Sequence, residues 1–326
     1  MKVIGDREIF FYPAKDESPH SPGKEELWQE SWVLYMWDTK NKVYSFFRLS
    51  QVPNRNGGET VVWLNIWTPD YMYKHTDDEI PLITRDITDN ALVSGEGLCR
   101  YEYNGDHLWQ INDQDVKVNL VMKDDHPGLG SIQKGSGVLI SEVAGNHAES
   151  TGRVTGTITV RDKEYIIDGV GWRDHSWGKR DWLSIRAHRG IIALFDEFNF
   201  FGTSLVGTDG KLSKNGMIIR ESTVQFTDRF EVIVHMAEDG ISNCGGRVNI
   251  ILDGDTYALK FEPIGKAAIS LTHSFACTDT LCTVKMMNKV GYGMMETSSR
   301  PQGGDATPFV FPSSPGVIQN GLYEIS

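Results

Sequence analysis

The sequence predicts an all-β protein built from antiparallel strands, and three observations support this. Apolar and polar residues alternate wherever a pattern can be followed, as in VKVNLVMK, where Val116, Val118, Leu120 and Met122 share one face. Turn signals separate many short segments, and the 33 glycines interrupt most windows long enough for an amphipathic helix. We therefore expect less than about a fifth of the residues in helices.

Four hairpins can be placed in order along the chain. In each one, two alternating segments flank a short turn that contains Gly, Asn or Asp. The turns are expected at Asp38 to Lys42, at Asn104-Gly105, near Asp162 and at Asp253-Gly254. Hairpin-rich stretches occupy residues 30–170 and 185–295, which predicts two barrels joined by a junction.

The domain boundary is expected in that junction. At 326 residues the chain is long enough for two domains of about 150 residues each. We assign residues 1–182 to an N-terminal barrel that ends in GVGWRDHSWGKRDW, and residues 183–326 to a C-terminal barrel. Pro, Gly and Ser are frequent in residues 298–316, which predicts an irregular tail.

Composition excludes several partners and compartments. A formal charge of -12 would repel nucleic acid and anionic lipid. No apolar run approaches the ~20 residues of a membrane span, and no signal peptide is visible, so we expect a cytoplasmic protein without an integral membrane segment. The four cysteines, Cys99, Cys244, Cys277 and Cys282, are expected to be buried free thiols. A monomer and a homodimer both remain open.

Cofactor and metal motifs are missing from the sequence. It contains no GxxxxGK[ST], GxGxxG or HExxH, and GTSLVG at residues 202–207 lacks the strand-to-helix context of a nucleophile elbow. His147 and Glu149 form an HxE, but the later Cys277 and Cys282 have the wrong spacing for a zinc deaminase. We expect neither a cofactor nor a metal.

The stretch GVGWRDHSWGKRD, residues 169–181, is the strongest candidate for a functional site. His175 and Trp177 are two residues apart, so in an extended strand both project to the same side, whereas Asp174 projects to the other. An imidazole with a nearby carboxylate can transfer protons near neutral pH, and an indole stabilises a cation. The alternative is structural, with Arg173, Arg180, Asp174 and Asp181 forming an ion-pair clasp.

Four segments together resemble the carotenoid 1,2-hydratase (hydroxyneurosporene synthase) and AttH-like superfamily. They are GVGWRDHSWGKRDW, the upstream HAESTGRVTG and NGDHLWQI, and the downstream KVGYGMMETSSRP, and the similarity spans roughly residues 28–301. The RDHSWG sequence resembles an uncharacterised bacterial branch. The resemblance implies two tandem lipocalin-like barrels with a ligand pocket near their junction. It also implies hydration of isoprenoid double bonds without a cofactor, or pericyclic cyclisation in fungal relatives.

The resemblance also implies site residues. His175 and Trp177 match the family's His-x-Trp. The Tyr-x-Asp of the hydratases corresponds to Leu194-Phe195-Asp196, which keeps the acid and loses the tyrosine, and Glu197 is the fallback. The expected catalytic residues are His175, Trp177, Asp174 and Asp196. The expected substrate-binding residues are mainly aromatic: Trp172, Trp182, Phe195, Phe198, Phe200 and Glu197.

The function expected from these residues is a hydratase, or the reverse dehydratase or an isomerase. An acid would protonate an alkene of a terpenoid or prenylated small molecule, and water would capture the cation, which is hydro-lyase chemistry. Two alternatives stay open. One is a terpenoid or pericyclic cyclase, and the other is a non-catalytic carrier of a hydrophobic metabolite, since lipocalin-like barrels commonly bind one small ligand.

Overall fold

The computed structural model describes residues 1–5, 9–83, 87–130, 145–238, 242–271, 276–299 and 320–325. It confirms the all-β class. In this part of the chain the helical segments are single 3-10 turns at Ala14–Glu17, Gly95–Gly97 and Trp182–Ser184. The expected irregular tail lies largely outside the described residues.

The described strands, in chain order, are β1 Lys2–Ile4, β2 Phe10–Phe11, β3 Trp28–Asp38, β4 Val43–Val52, β5 Glu59–Trp67, β6 Tyr71–Pro81, β7 Ala91–Ser94, β8 Cys99–Tyr103, β9 His107–Asn112, β10 Val116–Asp124, β11 Leu129–Gly130, β12 Asn146–Val160, β13 Lys163–Lys179, β14 Ile185–Phe195, β15 Phe198–Gly207, β16 Leu212–Arg220, β17 Thr223–Thr227, β18 Phe230–Met236, β19 Asn243–Leu252, β20 Asp255–Pro263, β21 Ala268–Leu271, β22 Ala276–Met286, β23 Lys289–Ser299 and β24 Gly321–Glu324.

The four predicted hairpins are confirmed. Turns separate β3 from β4, β8 from β9, β12 from β13 and β19 from β20 at the expected positions. Left-handed backbone closes them, with positive φ at Lys42, Gly105, Arg161, Asp253 and Gly254. Asn and Asp near these positions hydrogen-bond the turn backbone, as at Asp38, whose carboxylate accepts from the Asn41 amide at 3.0 Å.

The first sheet is antiparallel and curls around one core. Its strand order is β24-β6-β5-β4-β3-β13-β12-β10-β9-β8-β7, and β11 pairs with both β12 and β2. Tyr73 of β6 and Leu92 of β7 lie in the same buried cluster as Trp32 and Leu34 of the central β3. Strands far apart in the order therefore line one interior, which alternation along each strand fills with apolar side chains.

The second sheet repeats this construction. Its order is β1-β17-β16-β15-β14-β23-β22-β20-β19-β18, with β21 added to β22. Its interior cluster includes Phe195, Phe198 and Phe200 together with Val248 and Met295. All pairings are antiparallel except that of β1 with β17, which is parallel.

Each end of the chain pairs with the sheet that lies farther from it in the sequence. The chain divides into two compact units near Arg180 and Asp181, close to the expected boundary. However, β1 pairs with β17 of the second sheet, and β24 pairs with β6 of the first sheet. A boundary drawn at one point in the sequence cannot represent this exchange, because an edge strand pairs through backbone groups that carry no sequence signal.

The prediction for cysteines is right for three of the four. Cys99, Cys277 and Cys282 are buried free thiols, whereas Cys244 is free and exposed. Cys244 lies in the β19 segment NCGG, whose glycines prevent an alternation from being followed. No helix among the described residues is long and apolar enough to cross a membrane.

Candidate functional site

The strand β13 carries functional side chains on both of its faces. Its register with β3 places His175 opposite Trp32 and Arg173 opposite Leu34, both of which belong to the interior core of the first sheet. Asp174 lies opposite Val33 and therefore points to the other side, which we call the outward face. The structure brings His175 and Trp177 together, as alternation predicts, and separates Asp174 from both.

His175 lies on the interior face and is completely buried. Its Nε2 is 2.9 Å from Oε1 of Glu30, and its Nδ1 is 3.7 Å from Oε2 of Glu17, too far for a hydrogen bond but close enough for attraction. Burial alone would lower the pKa of His175, but the two carboxylates outweigh it and raise the pKa above its ordinary value. Glu30 also accepts from Gln51 Nε2 at 2.6 Å and lies 2.7 Å from His20 Nδ1.

Aromatic rings enclose His175. Trp32 stacks on one side with ring centroids 4.7 Å apart, and Trp177 lies on another side at 4.7 Å. His20 stacks on Trp177 at 4.2 Å, and Tyr12 meets the same indole edge-on at 5.2 Å. The side chain of His20 is 25% exposed. Solvent therefore reaches the interior group at His20, and the hydrogen bonds of Glu30 connect His20 with the buried His175.

Arg173 occupies the same interior face and neutralises two carboxylates. Its Nη2 donates to Oε1 of Glu17 at 2.7 Å and to Oδ2 of Asp124 at 2.5 Å. His107 Nε2 lies 3.3 Å from the same Asp124 oxygen. The predicted clasp of Arg173 with Asp174 or Asp181 is therefore replaced by pairing with acids of other segments. These charges also hold the pKa of Asp124 well below its ordinary value, against the opposing effect of burial.

The outward face holds a second group of titratable side chains. Asp174 Oδ2 lies 2.7 Å from His147 Nε2, and Glu149, directly opposite Asp174 in the register, has Oε1 4.0 Å from the same nitrogen. Burial raises the pKa of Glu149 to about 7; His147 opposes this shift and Asp174 adds to it. Burial also acts to raise the pKa of Asp174, but His147 outweighs it and the pKa is lowered. This group combines one ionised carboxylate with one carboxyl whose pKa lies near neutrality.

Aromatic side chains continue the outward face across β13, β3, β4 and β5. Trp172 lies 5.7 Å from Tyr35, and Tyr35 stacks on Phe46 with ring centroids 4.6 Å apart. Phe46 meets Trp63 at 6.3 Å, and the Arg48 guanidinium lies 4.5 Å above the Trp63 ring. We call Trp172, Tyr35, Phe46 and Trp63 the aromatic wall.

Several buried polar atoms on the outward face have no hydrogen-bond partner among the described residues. They are Asp174 Oδ1, Glu149 Oε2, Trp63 Nε1 and both amide atoms of Asn65. Asn65 lies opposite Phe46 in the register, next to the aromatic wall. Buried polar atoms are almost always paired, so a cluster of exceptions indicates a surface that pairs with water or a ligand.

The remaining predicted site residues belong to the compact unit that includes residues 181–318. Asp196 and Glu197 form the exposed turn between β14 and β15, and Glu197 pairs with Lys289. Asp196, which matches the acid of the family's Tyr-x-Asp, directly follows β14, because that strand ends at Phe195. Phe195, Phe198 and Phe200 belong to the interior core of the second sheet, and Trp182 is partly exposed in a 3-10 turn.

Sequence reasoning did not identify Glu17, Glu30 and His20, and it assigned no catalytic role to His147 or Glu149. Glu30 lies in a predominantly apolar strand, WQESWVLYMW, where a buried acid requires partners, and this was the available signal. His20, Glu30 and His175 also place potential metal ligands within 4.8 Å of one another. Two imidazoles and a carboxylate can hold a divalent metal, although the same atoms are already joined by hydrogen bonds.

Residues 13–301 match the model of a family described as a domain of unknown function, DUF7064. The chain belongs to the DUF7064 family. No curated protein matches this member of the family. Its expected place in a carotenoid hydratase branch stays a prediction.

Solved structures similar to this DUF7064 chain share its fold. An AttH-like protein from Nitrosomonas europaea matches with a TM-score of 0.64 and 11% identity, over 85% of this chain and 94% of that one. Kievitone hydratase from Nectria haematococca matches with a TM-score of 0.61 and 12% identity, over 88% and 92%. CghA, solved with Sch210972, matches with a TM-score of 0.60 and 11% identity, over 88% and 95%. These likenesses confirm the AttH-like, lipocalin-type fold that the sequence predicts.

Proposed function

We propose that this DUF7064 protein is an enzyme of the hydratase type that acts on a prenylated or terpenoid small molecule, with Glu149 as the proton donor. The observation that carries the proposal is the juxtaposition on one face of the first sheet. Glu149, Asp174 and His147 converge within hydrogen-bonding or ion-pairing distance, on the same face as an aromatic wall and a set of unpaired buried polar atoms. The fold similarity to kievitone hydratase agrees with this assignment.

The chemistry follows from the charges of this group. The neutral carboxyl of Glu149 gives its proton to one carbon of a trisubstituted alkene, so the O–H bond breaks as a C–H bond forms and the other carbon becomes a tertiary cation. Rings of the aromatic wall stabilise that cation through their faces. Water adds to the cation and returns a proton to the Glu149 carboxylate. Asp174, kept ionised by His147, opposes loss of the Glu149 proton before the alkene arrives.

His175 and Trp177 have a different part in this proposal. His175 is enclosed by Trp32 and Trp177 and has no exposed surface, so we assign it to positioning. We assign Trp177 to the same role because its ring packs against that of His175. The hydrogen bond of His175 to Glu30 fixes β13 relative to β3, and β13 carries Asp174 and Trp172 on its other face. A positioning role predicts a lower rate in His175→Gln with an unchanged pH profile. A catalytic role predicts a shifted profile.

The test is incubation with a panel of acyclic and prenylated alkenes in ¹⁸O-labelled water, followed by mass spectrometry of the products. We expect labelled tertiary alcohol from the wild type, and a loss of at least about 100-fold in Glu149→Gln, because that variant keeps the shape and removes the proton donor. His235→Gln, at an exposed histidine of β18, is the control and should retain the wild-type rate.

Three other outcomes would contradict the proposal. Rearranged product without label would indicate a cyclase or an isomerase. Unchanged substrate bound equally to wild type and Glu149→Gln would indicate a carrier. Full activity in Glu149→Gln together with none in His175→Gln would move the proton donor to the interior group.

A further inference from the structure

The second sheet carries a cluster of polar side chains that the proposed function does not use. The register aligns two neighbouring rows of side chains across β21, β22, β23 and β14. One row contains Ser270, Cys277, Ser298 and His188, and the other contains Asp279 and Glu296. All six residues point away from the interior core, since Cys282 and Met295, which lie in it, occupy the alternate positions.

The side chains of this cluster converge. Sγ of Cys277 lies 3.2 Å from Oε1 of Glu296 and 3.5 Å from Oδ2 of Asp279. These three residues place one potential ligand atom each within 4.8 Å of the others. Asp279 is completely buried and Cys277 is 7% exposed. Burial of two carboxylates beside a thiol is unfavourable, and His188, 2.9 Å from Glu296, supplies part of the compensation when it is protonated.

Two further observations indicate a built site. Gly190 lies opposite Glu296, and a Cβ at Gly190 would come within 3.0 Å of Glu296 Oε2, so the glycine leaves room for that carboxylate. Ser270 lies opposite Cys277 and is completely buried, and its Oγ has no hydrogen-bond partner among the described residues. An unpaired buried hydroxyl beside the cluster indicates a group that the protein atoms do not supply.

We propose that Cys277, Asp279 and Glu296 bind a divalent metal ion of zinc type. Tetrahedral coordination with Zn–S near 2.3 Å and Zn–O near 2.0 Å separates sulfur from oxygen by about 3.5 Å. The distance from Cys277 to Asp279 is 3.5 Å, and the distance of 3.2 Å to Glu296 would lengthen slightly on binding. A thiolate ligand selects zinc or another borderline-soft ion over magnesium and calcium.

His188 supports the metal ligands. Its Nδ1 lies 2.9 Å from Oε1 of Glu296, and its Nε2 lies 2.6 Å from Oγ1 of Thr203. A histidine that holds a ligating carboxylate in place raises metal affinity without touching the ion. The sequence did not predict this site. Cys277 and Cys282 are five residues apart on one strand, so they point to opposite faces and cannot bind one metal ion together. The ligands come instead from two neighbouring strands.

The experiment uses the full chain, first stripped with a chelator and then equilibrated with Co²⁺ or Zn²⁺. The readouts are the near-ultraviolet thiolate-to-cobalt charge-transfer band and the zinc content after gel filtration. We expect one equivalent of metal and a clear band in the wild type and in Cys282→Ala, which alters a buried cysteine on the opposite face of β22. Cys277→Ser should lose the band, and His188→Gln should bind zinc about 10 to 100-fold more weakly.

The proposal is overturned if the wild type retains no metal, or if the charge-transfer band and the metal stoichiometry survive in Cys277→Ser. Glu296→Gln, which keeps the side-chain shape, provides the same test if Cys277→Ser does not fold. If metal is retained in both variants and lost in His20→Gln, the ion belongs to His20, Glu30 and His175.

Discussion

At the scale of single residues, ion pairs stabilise the buried charge of Arg173 in the first sheet. Arg173 is almost completely buried and is held by Glu17 and Asp124. Breaking such a pair leaves a carboxylate in a medium that solvates it poorly, and this costs far more than breaking an exposed pair.

Arg173→Met is therefore expected to destabilise the protein by about 3 to 5 kcal/mol. The matched control is Arg153→Met, because Arg153 pairs with Asp168 through two hydrogen bonds of 2.8 Å while its side chain is 68% exposed. The control should cost less than about 1 kcal/mol. Urea unfolding monitored by tryptophan fluorescence measures both. Equal losses in the two variants would contradict the assignment of Arg173 to a buried network.

The raised pKa of Glu149 makes the folded protein less stable as the pH rises. Its pKa in the folded protein is about 7, above its ordinary value of 4.5, so its contribution is fully present below the ordinary pKa and is lost as the pH rises through 7. Glutamine does not titrate, so the Glu149→Gln variant does not lose stability at this position as the pH rises. We expect the variant to gain about 2 to 3 kcal/mol relative to wild type between about pH 5 and pH 8. Thermal unfolding at both pH values measures the gain, and a constant difference would contradict the raised pKa.

At the scale of elements, the alternation of β13 and its hairpin with β12 could be predicted, whereas its pairing with β3 could not. The two-residue spacing correctly put His175 and Trp177 on one side and Asp174 on the other. The partner of Asp174, His147, is 27 residues away on β12, and the partner of His175, Glu30, is 145 residues away on β3. The first pairing lies within the hairpin predicted near Asp162. The second depends on strand order, which local patterns do not encode.

The close pairing between β10 and β12 requires a glycine at position 156. Gly156 has a φ of +137°, and a Cβ there would lie 2.0 Å from the backbone oxygen of Asn119. Gly156→Ala is therefore expected to cost at least about 2 kcal/mol more than Gly105→Ala. Gly105 has a φ of +107° in a hairpin turn with open space around it, so this control isolates the clash from the cost of positive φ. Urea unfolding of both variants measures the difference, and equal losses would contradict the close approach.

At the scale of the whole molecule, the ends of the chain are exchanged between the two sheets. The fold class and the hairpins could be predicted, because alternation and turn residues are local signals. The exchange could not, because β1 and β24 are short and pair through backbone groups. Asn320 adds two side-chain hydrogen bonds to the backbone of Thr76, at 2.8 and 3.0 Å.

Deletion of residues 320–326 should therefore loosen the first sheet although these residues follow the second sheet in sequence. Hydrogen exchange followed by mass spectrometry should show faster exchange in Tyr71–Pro81, whose edge loses its partner. Phe230–Met236, the edge strand of the second sheet, is the internal control and should be unchanged. Unchanged exchange in Tyr71–Pro81 would contradict the pairing.

The central claim is that Glu149 keeps its proton near neutral pH on a face prepared for an alkene, and one measurement tests it without knowledge of the substrate. Carboxyl ¹³C NMR of the full protein across a pH titration, with Glu149→Gln to assign the signal, gives the pKa of this group directly. We expect a titration of Glu149 centred near pH 7. A signal that titrates near 4.5, the ordinary value for glutamate, would remove the proton donor and with it the proposed mechanism.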